Sequence, residues 1–482
     1  MLEELKNERL RKARLLTERK FSPYPASVSR THTVRELTDS FEAFAGKKSV
    51  VSTTGRITGL RKQGGVLFAD IKDESGKIQL VFKKDTFPEF DLWHETLDLG
   101  DFAEAKGILF TTERGEKSIA IQAFRIITKT LRPIPAEWYG LKDTETRLRE
   151  RYLDILLHPD TKELFAKKAA FWNAMRQFLH KQKFLEVETP VLETIAGGAD
   201  AEPFKSHHNA LDTDFYLRIS LEIALKKLLV AGYENVFEIG RIFRNEGIDA
   251  EHLQDYTQLE FYSAYHDYKW LMKFVRKLYQ TVIKKTFGTL ETKWHEHTIN
   301  WAAKWPVIDY YKIFKEHTGL DLKNATADEL RAKAESEGLK PEVGWGRGHL
   351  IDALFKKARK TIIQPSFLAN PPADIEPLAK RSAKDPNRVE RMQVIAAGTE
   401  LGKGFSEAND PVDQRARFEE QMRLRAEGDR EAQMLDEEFL TALEYGMPPA
   451  AGFGVSERLF AVLVDKPVRE TVFFPLMRPR KE

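Results

Sequence analysis

The sequence predicts a multidomain protein in which a small β-barrel precedes an α+β domain built on a mainly antiparallel sheet. Three observations lead there. Between residues 48 and 130, short β-rich runs alternate with turn signals at Gly64 and Gly65, at residues 73–76, and at Arg114 and Gly115, the pattern of a compact barrel. Residues 131–135 (Leu-Arg-Pro-Ile-Pro) form a stiff, proline-marked connection. Beyond it, strand and helix patterns mix without the regular alternation of a parallel sheet. At 482 residues the chain also exceeds what one hydrophobic core organises.

Residues 1–47 are the lead-in. Leucines at 2, 5, 10, 15 and 16 lie among seven basic and four acidic residues up to Lys20, the pattern of an amphipathic helix that either docks on its own domain or touches an RNA backbone. Prolines at 23 and 25 end it. The barrel occupies 48–130, with strands predicted at 50–57, 65–71, 78–82, 102–110 and 118–127. An oligonucleotide-binding barrel (OB-fold) is one candidate, and Arg56, Phe68 and Gln79 offer a cation, a stacking ring and an amide on its open face. Phe68 reads equally well as a barrel core residue. A linker is predicted over 131–150, running into an arginine-rich helix over 144–157. The last domain, 151–482, predicts helices over 159–181, 221–231, 270–286, 328–337, 350–361, 413–427 and 431–445. Its strands fall at 184–190, closed by Pro190, and at 215–219, 235–239 and 257–264, with a small insertion near 285–348.

Composition narrows the classes. Hydrophobic residues at 42% and charged residues at 31% give ample core material and no mark of disorder. A net charge of +2, from 76 basic and 74 acidic residues, excludes a uniformly basic nucleic-acid binder, so any polyanion site is local. Cysteine is absent, which removes disulfides, thiolate zinc sites and cysteine nucleophiles together. The charged amino terminus and the lack of a long apolar run predict a cytoplasmic protein with no membrane partner.

Common nucleotide motifs fail. Residues 398–404 (Gly-Thr-Glu-Leu-Gly-Lys-Gly) are one short of a phosphate loop and lack its hydroxyl residue, and His295 and His297 are too close for a helical zinc pair. Residues 237–262 are more informative. They read strand, loop, strand, and place Arg244, Glu246, His252, Tyr256 and Glu260 where two strands converge. A cation, carboxylates and a ring in one place suit a charged planar ligand, because arginine pairs with phosphate or carboxylate and a ring stacks on a base. A charged surface hairpin is the alternative on spacing alone.

The motifs resemble a family. Residues 243–246 (Phe-Arg-Asn-Glu), followed by 256–260 (Tyr-Thr-Gln-Leu-Glu), look like the second signature motif of class II aminoacyl-tRNA synthetases; 184–190 resembles the first and 452–458 (Gly-Phe-Gly-Val-Ser-Glu-Arg) the third. Within that class the likeness is to bacterial lysyl-tRNA synthetases, through residues 196–199, 207–212, 218–222, 402–407 and 446–449. It covers nearly the whole chain.

That resemblance implies an OB-fold anticodon-binding domain joined to an α+β class II synthetase catalytic domain. It also implies ATP as substrate, Mg2+, L-lysine, tRNA(Lys) and a homodimer formed through the 184–190 region. By similarity Arg244, Glu246 and Arg458 are catalytic. The nucleotide is held by these with His252, Tyr256 and Glu400, and lysine by Gly198, Glu222, Arg244, Glu260, Tyr262, Phe405 and Glu407. Arg56, Phe68 and Gln79 would meet the anticodon, and Glu400 and Glu407 would hold metal. Three carboxylates suit a substrate with two ammonium groups, and each is also readable as a structural salt-bridge partner.

Several positions depart from the family pattern. Gln393 stands where a metal-binding glutamate is expected, Lys403 replaces an asparagine, Ser456 and Glu457 replace a small residue and an aspartate, and Glu202 and Glu251 stand where arginine is common. An ammonium facing the substrate's own at ~4 Å would cost about 4 kcal/mol at an effective dielectric of 20. Lys403 is therefore expected to point elsewhere, either replacing part of the charge of a magnesium ion or lying exposed. Two alternatives to the ligase remain open: a relative that lysylates a protein side chain, and a nucleic-acid-binding paralogue without activity. An aspartate or asparagine ligase is disfavoured because no cation is evident opposite the three glutamates.

Overall fold

The computed structural model describes residues 2–135, 141, 143–247, 253–342, 344–429 and 432–480. Two units emerge, Met1–Lys142 and Asp143–Glu482. Residues 143–150, expected in the linker, belong to the second. Asp143 caps the helix Thr144–Arg149 by accepting from the Thr146 amide at 2.8 Å, and Arg149 donates to the Arg478 carbonyl at 2.7 Å.

In the first unit, strands Val50–Gln63, Val66–Lys72, Lys77–Lys83, Phe102–Thr111 and Lys117–Thr128 close a barrel in the order first, second, third, fifth, fourth. Period-two alternation explains its filling: Leu67, Ala69 and Ile71 face inward beside Ile78, Leu80 and Phe82, all buried. Trp93, from the short helix Phe90–Thr96, completes the core. The amino-terminal helix Leu2–Glu18 docks, as one of its two readings had it. Leu16 enters the barrel core, and Arg9 is buried with its guanidinium donating to the Thr130 hydroxyl at 2.9 Å.

The second unit is organised by an eight-stranded sheet in the order Val307–Asp309, Ser366–Ala369, Arg391–Ala396, Thr399–Ser406, Ala450–Ser456, Asp255–Ala264, Asn235–Phe243, Leu185–Glu186. Only the two edge pairs are parallel. Helices Pro159–Lys181 and Tyr268–Phe287 pack with Phe237, Leu259, Phe261 and Phe453 in one large core. Alternation along Asp255–Ala264 then decides the site: Leu259 and Phe261 belong to that core, while Tyr256, Gln258, Glu260 and Tyr262 line a cleft.

Four expectations change. The strand predicted over 184–190 shortens to Leu185–Glu186, paired with Val236 and Phe237, before the chain turns away ahead of Pro190. The helix over 144–157 breaks at Glu150 into Thr144–Arg149 and Arg151–Leu157. The helix expected over 431–445 is Glu437–Glu444, started by Asp436, whose carboxylate accepts from the Phe439 amide at 2.8 Å. The stretch 285–348, expected as an insertion, contributes the sheet's edge strand Val307–Asp309.

Candidate active site

The cleft of the second unit encloses about 1120 Å3. At one end three carboxylates converge. Glu222 opens the helix Glu222–Val230, and its own amide donates to the Ser220 hydroxyl at 3.2 Å. Glu260 accepts from the Leu221 amide (2.9 Å), the Ser220 hydroxyl (2.7 Å) and Gln258 (2.6 Å) through one oxygen, and from the Tyr262 hydroxyl (2.8 Å) through the other. A carboxylate thus satisfies an otherwise orphaned donor at a helix start, where the helix dipole also favours it. Glu407 is buried at 1% exposure and lies 2.5 Å from the ammonium of Lys226, which is 2.5 Å from Glu222 as well.

Backbone geometry makes room for these groups. Gly198 has φ +84°, and a side chain there would bring its Cβ to 3.0 Å from both Glu222 and Ser220. At Gly452 a Cβ would lie 2.2 Å from the Tyr262 ring and 2.5 Å from Glu407 Oε1. Phe405, 3% exposed, forms an apolar wall. Burial pushes the Glu222 carboxyl up to about 7, with Lys226 pulling it down, and lifts that of Glu407 well above the usual range. Lys226 moves the other way from what burial dictates: its two carboxylate neighbours hold the proton on.

The other end suits an anion and a ring. Arg244 follows the strand Asn235–Phe243, its backbone fixed by the Gln254 carbonyl at 2.8 Å and its side chain donating to the Ile219 carbonyl at 3.3 Å. The guanidinium lies 5.8 Å from the centre of the Tyr256 ring. Burial works against the charge, yet Tyr256, Glu246, Glu260 and Asp200 leave its pKa above the usual arginine value. Glu246 and Arg458 line the same cleft. Glu457, one of the departures, is buried: it accepts from the Thr257 amide at 3.2 Å and pairs with Lys168, steadying the helix that begins at Arg458. His252 and Glu251 lie outside the described residues. Glu202 offers its backbone carbonyl to the Asn245 amide at 2.7 Å.

The metal expectation needs correcting. Glu407 is held by the Lys226 ammonium in the carboxylate pocket, and a divalent cation there would meet that fixed positive charge. Of the expected pair only Glu400 remains. Its Oε2 accepts from Gln393 at 2.6 Å, so the amide does what two glutamates facing each other cannot do without a cation between them. Lys403 stands opposite Gln393 across the paired strands and is partly exposed; its ammonium pairs with Glu376 at 3.0 Å, which also meets Arg391 at 3.2 Å. No group of three or more metal-binding side chains occurs among the described residues. A single carboxylate such as Glu400 fits Mg2+ shared with nucleotide phosphates rather than a cage of protein ligands.

On the barrel, Arg56 lies 4.1 Å from the Phe102 ring centre and donates to the Gly100 carbonyl at 3.1 Å. Phe68 is half-buried, points away from the core and has Arg61 5.8 Å from its ring centre. Gln79 departs from the expected open face: it is 6% exposed, because Ser118 on the neighbouring strand donates to its side-chain oxygen at 2.9 Å.

Sequence reasoning missed Lys226, Glu376, Gln258 and Ser220. Lys226 carried a usable signal, its position four residues after Glu222 in a predicted helix, and Gln258 another, alternating with Tyr256 and Glu260 along one strand. Lys226 also supplies the cation thought absent opposite the glutamates, although two of them already engage it.

Comparison with known proteins agrees with this geometry. A family profile described as tRNA synthetases class II (D, K and N) matches residues 143–478, and one described as an OB-fold nucleic acid binding domain matches 51–127. A lysine–tRNA ligase of Moorella thermoacetica is 42% identical over 98% of both chains. One from Carboxydothermus hydrogenoformans is 42% identical over 99% of both, and one from Roseiflexus castenholzii 41% identical over the full length of both. The chain belongs to the class II tRNA synthetases of the aspartate, lysine and asparagine group, joined to a nucleic-acid-binding OB-fold.

Proposed function

We propose that this chain activates L-lysine with ATP and transfers it to tRNA(Lys), a reading supported by full-length relatives named lysine–tRNA ligases. The observation that carries the choice of lysine is the buried trio Glu222, Glu260 and Glu407 beside a cleft that Arg244 and Arg458 also line. An aspartate or asparagine side chain would face those carboxylates with Lys226 already engaged. The matched OB-fold disfavours a ligase acting on protein.

Two displacements follow. The lysine carboxylate attacks the α-phosphate of ATP and pyrophosphate leaves; a terminal ribose hydroxyl of tRNA then attacks the acyl carbon and AMP leaves. Negative charge grows at the α-phosphate in the first step. Arg244 stabilises it while gripping the lysine carboxylate, Arg458 holds the far phosphates, and Tyr256 stacks on the adenine. Glu246 positions the nucleotide beside Arg244. Glu222 takes the α-ammonium; Glu407 and Tyr262, with Glu260 behind, take the ε-ammonium; Phe405 covers the methylene stem and Gly198 lies over the backbone end. Glu400 would hold Mg2+ together with the nucleotide, and the ion would supply charge neutralisation on the phosphates. The exposed Leu185 on the sheet's edge strand supports a homodimer across that edge. No helix among the described residues is long and apolar enough to cross a membrane; the proposed cytoplasmic location rests on the charged amino terminus and the lack of cysteine.

Charging tests the whole reaction: the purified chain esterifies bulk tRNA with labelled lysine and leaves labelled aspartate and asparagine free. The barrel's part is tested separately. Phe68→Ala raises the KM for tRNA by about 5- to 100-fold, the loss of one stacked base at ~1–3 kcal/mol, with tRNA-independent pyrophosphate exchange unchanged. An unchanged KM removes Phe68 from the anticodon face.

A further inference from the structure

We propose that Lys226 is a specificity-determining positioning residue of the lysine pocket: its buried ammonium ties Glu222 to Glu407 and supplies the third positive charge that balances three carboxylates once the doubly cationic substrate is bound. This rests on the lysine reading of the same cleft.

Lys226 is fully buried, with its Nζ 2.5 Å from Glu222 Oε1 and 2.5 Å from Glu407 Oε2. Helical spacing puts it on the face of Glu222 one turn on, and the Phe405 and Phe439 rings flank the ammonium at 5.3 and 5.9 Å. Glu407 comes from a distant part of the chain, so the ammonium is what joins helix to sheet at this point. Glu260 has four hydrogen bonds of its own, whereas neither oxygen of Glu407 has a hydrogen-bond partner of good geometry. Glu407 therefore depends on the charge of Lys226, and its Oε1 is left for a further donor.

Charge counting explains the specificity. Glu222, Glu260 and Glu407 bring three negative charges; the substrate brings an α- and an ε-ammonium, and Lys226 brings the third cation. An uncharged side chain such as methionine leaves one buried carboxylate unbalanced. Without Lys226, lysine itself leaves the pocket one charge short, and a carboxyl must keep its proton.

The groups facing this cluster are Glu222, Glu260, Glu376 and Glu407 with the Tyr262 hydroxyl. Lys226 lowers the carboxyl pKa values against burial, so removing it raises them. A raised carboxyl is protonated below its pKa, and the ionised form binds ammonium; lysine affinity is therefore lost as pH falls through a window that moves upward in the variant.

The experiment is lysine-dependent exchange of pyrophosphate into ATP by the full chain and its Lys226→Met variant between pH 6 and 9. The expected result is a rise of the lysine KM at pH 7 by roughly 100-fold, the effect of unbalancing a buried charge pair. The midpoint of the pH dependence of kcat/KM for lysine moves up by about 1–3 units, methionine gains relative to lysine, and the ATP KM stays within about twofold. Lys226→Gln, which keeps a donor and most of the volume, gives the same upward shift and serves if the methionine variant does not fold. Lysine profiles of unchanged midpoint, merely lower overall, overturn the proposal and leave the substrate reading intact. Absence of lysine-dependent exchange in the unaltered chain overturns the substrate reading itself.

Discussion

Replacing Glu407 with glutamine raises the KM for lysine by about 100-fold or more while the KM for ATP changes by about twofold or less. The magnitude follows from burial. Glu407 is 1% exposed and its carboxylate is the charge that an incoming ε-ammonium meets, so an amide in its place leaves that ammonium desolvated and unbalanced. Breaking one member of a buried charge pair costs ~3–5 kcal/mol, and each 1.4 kcal/mol is about a factor of ten in affinity. The proposed nucleotide site uses Arg244, Tyr256 and Arg458, which line the same cleft and which glutamine at 407 leaves in place. Exchange kinetics with each substrate varied in turn separate the two constants, and equal losses for both contradict the assignment.

Replacing Arg244 with alanine has the other large effect, and a different signature. The guanidinium is held by the Ile219 carbonyl and lies near the Tyr256 ring, and in the proposed reaction it meets the substrate carboxylate and the α-phosphate. A preorganised cation aimed at charge that develops in the transition state is worth about 10²–10³ in rate. The variant therefore forms adenylate about 100- to 1000-fold more slowly in a single turnover at saturating ATP and lysine, whereas Glu407→Gln at saturating lysine recovers most of its rate. A normal single-turnover rate in the arginine variant, with only KM altered, would reduce Arg244 to a binding group.

Much of this site was legible because its parts are close in sequence. Residues 237–243 and 255–262 form one antiparallel pair of strands, in which Phe243 faces Asp255 and Ile242 faces Tyr256, so motif and geometry coincide. The barrel was legible for the same reason: alternation within each strand separates its core from its surface. What escaped were pairs between segments that only the tertiary fold brings together. Glu407 meets Lys226 and Glu457 meets Lys168 across long stretches of chain, and Lys403 meets Glu376 in the loop ahead of its neighbouring strand. A departure such as Lys403 looks costly until its partner is known. Gln79 shows the converse, since its outward register was readable but the covering hydroxyl of Ser118 was not. The shortened strand at Leu185–Glu186 reflects an edge position, where half the pairing of an interior strand is missing and Pro190 forbids extension.

The central claim is that three buried glutamates and one buried lysine select a doubly cationic amino acid. Exchange of labelled pyrophosphate into ATP, run with each of the twenty amino acids in the absence of tRNA, tests it most directly. The account predicts strong exchange with lysine, with aspartate, asparagine, methionine and leucine at background. Background exchange with lysine beside clear exchange with aspartate or asparagine would contradict it.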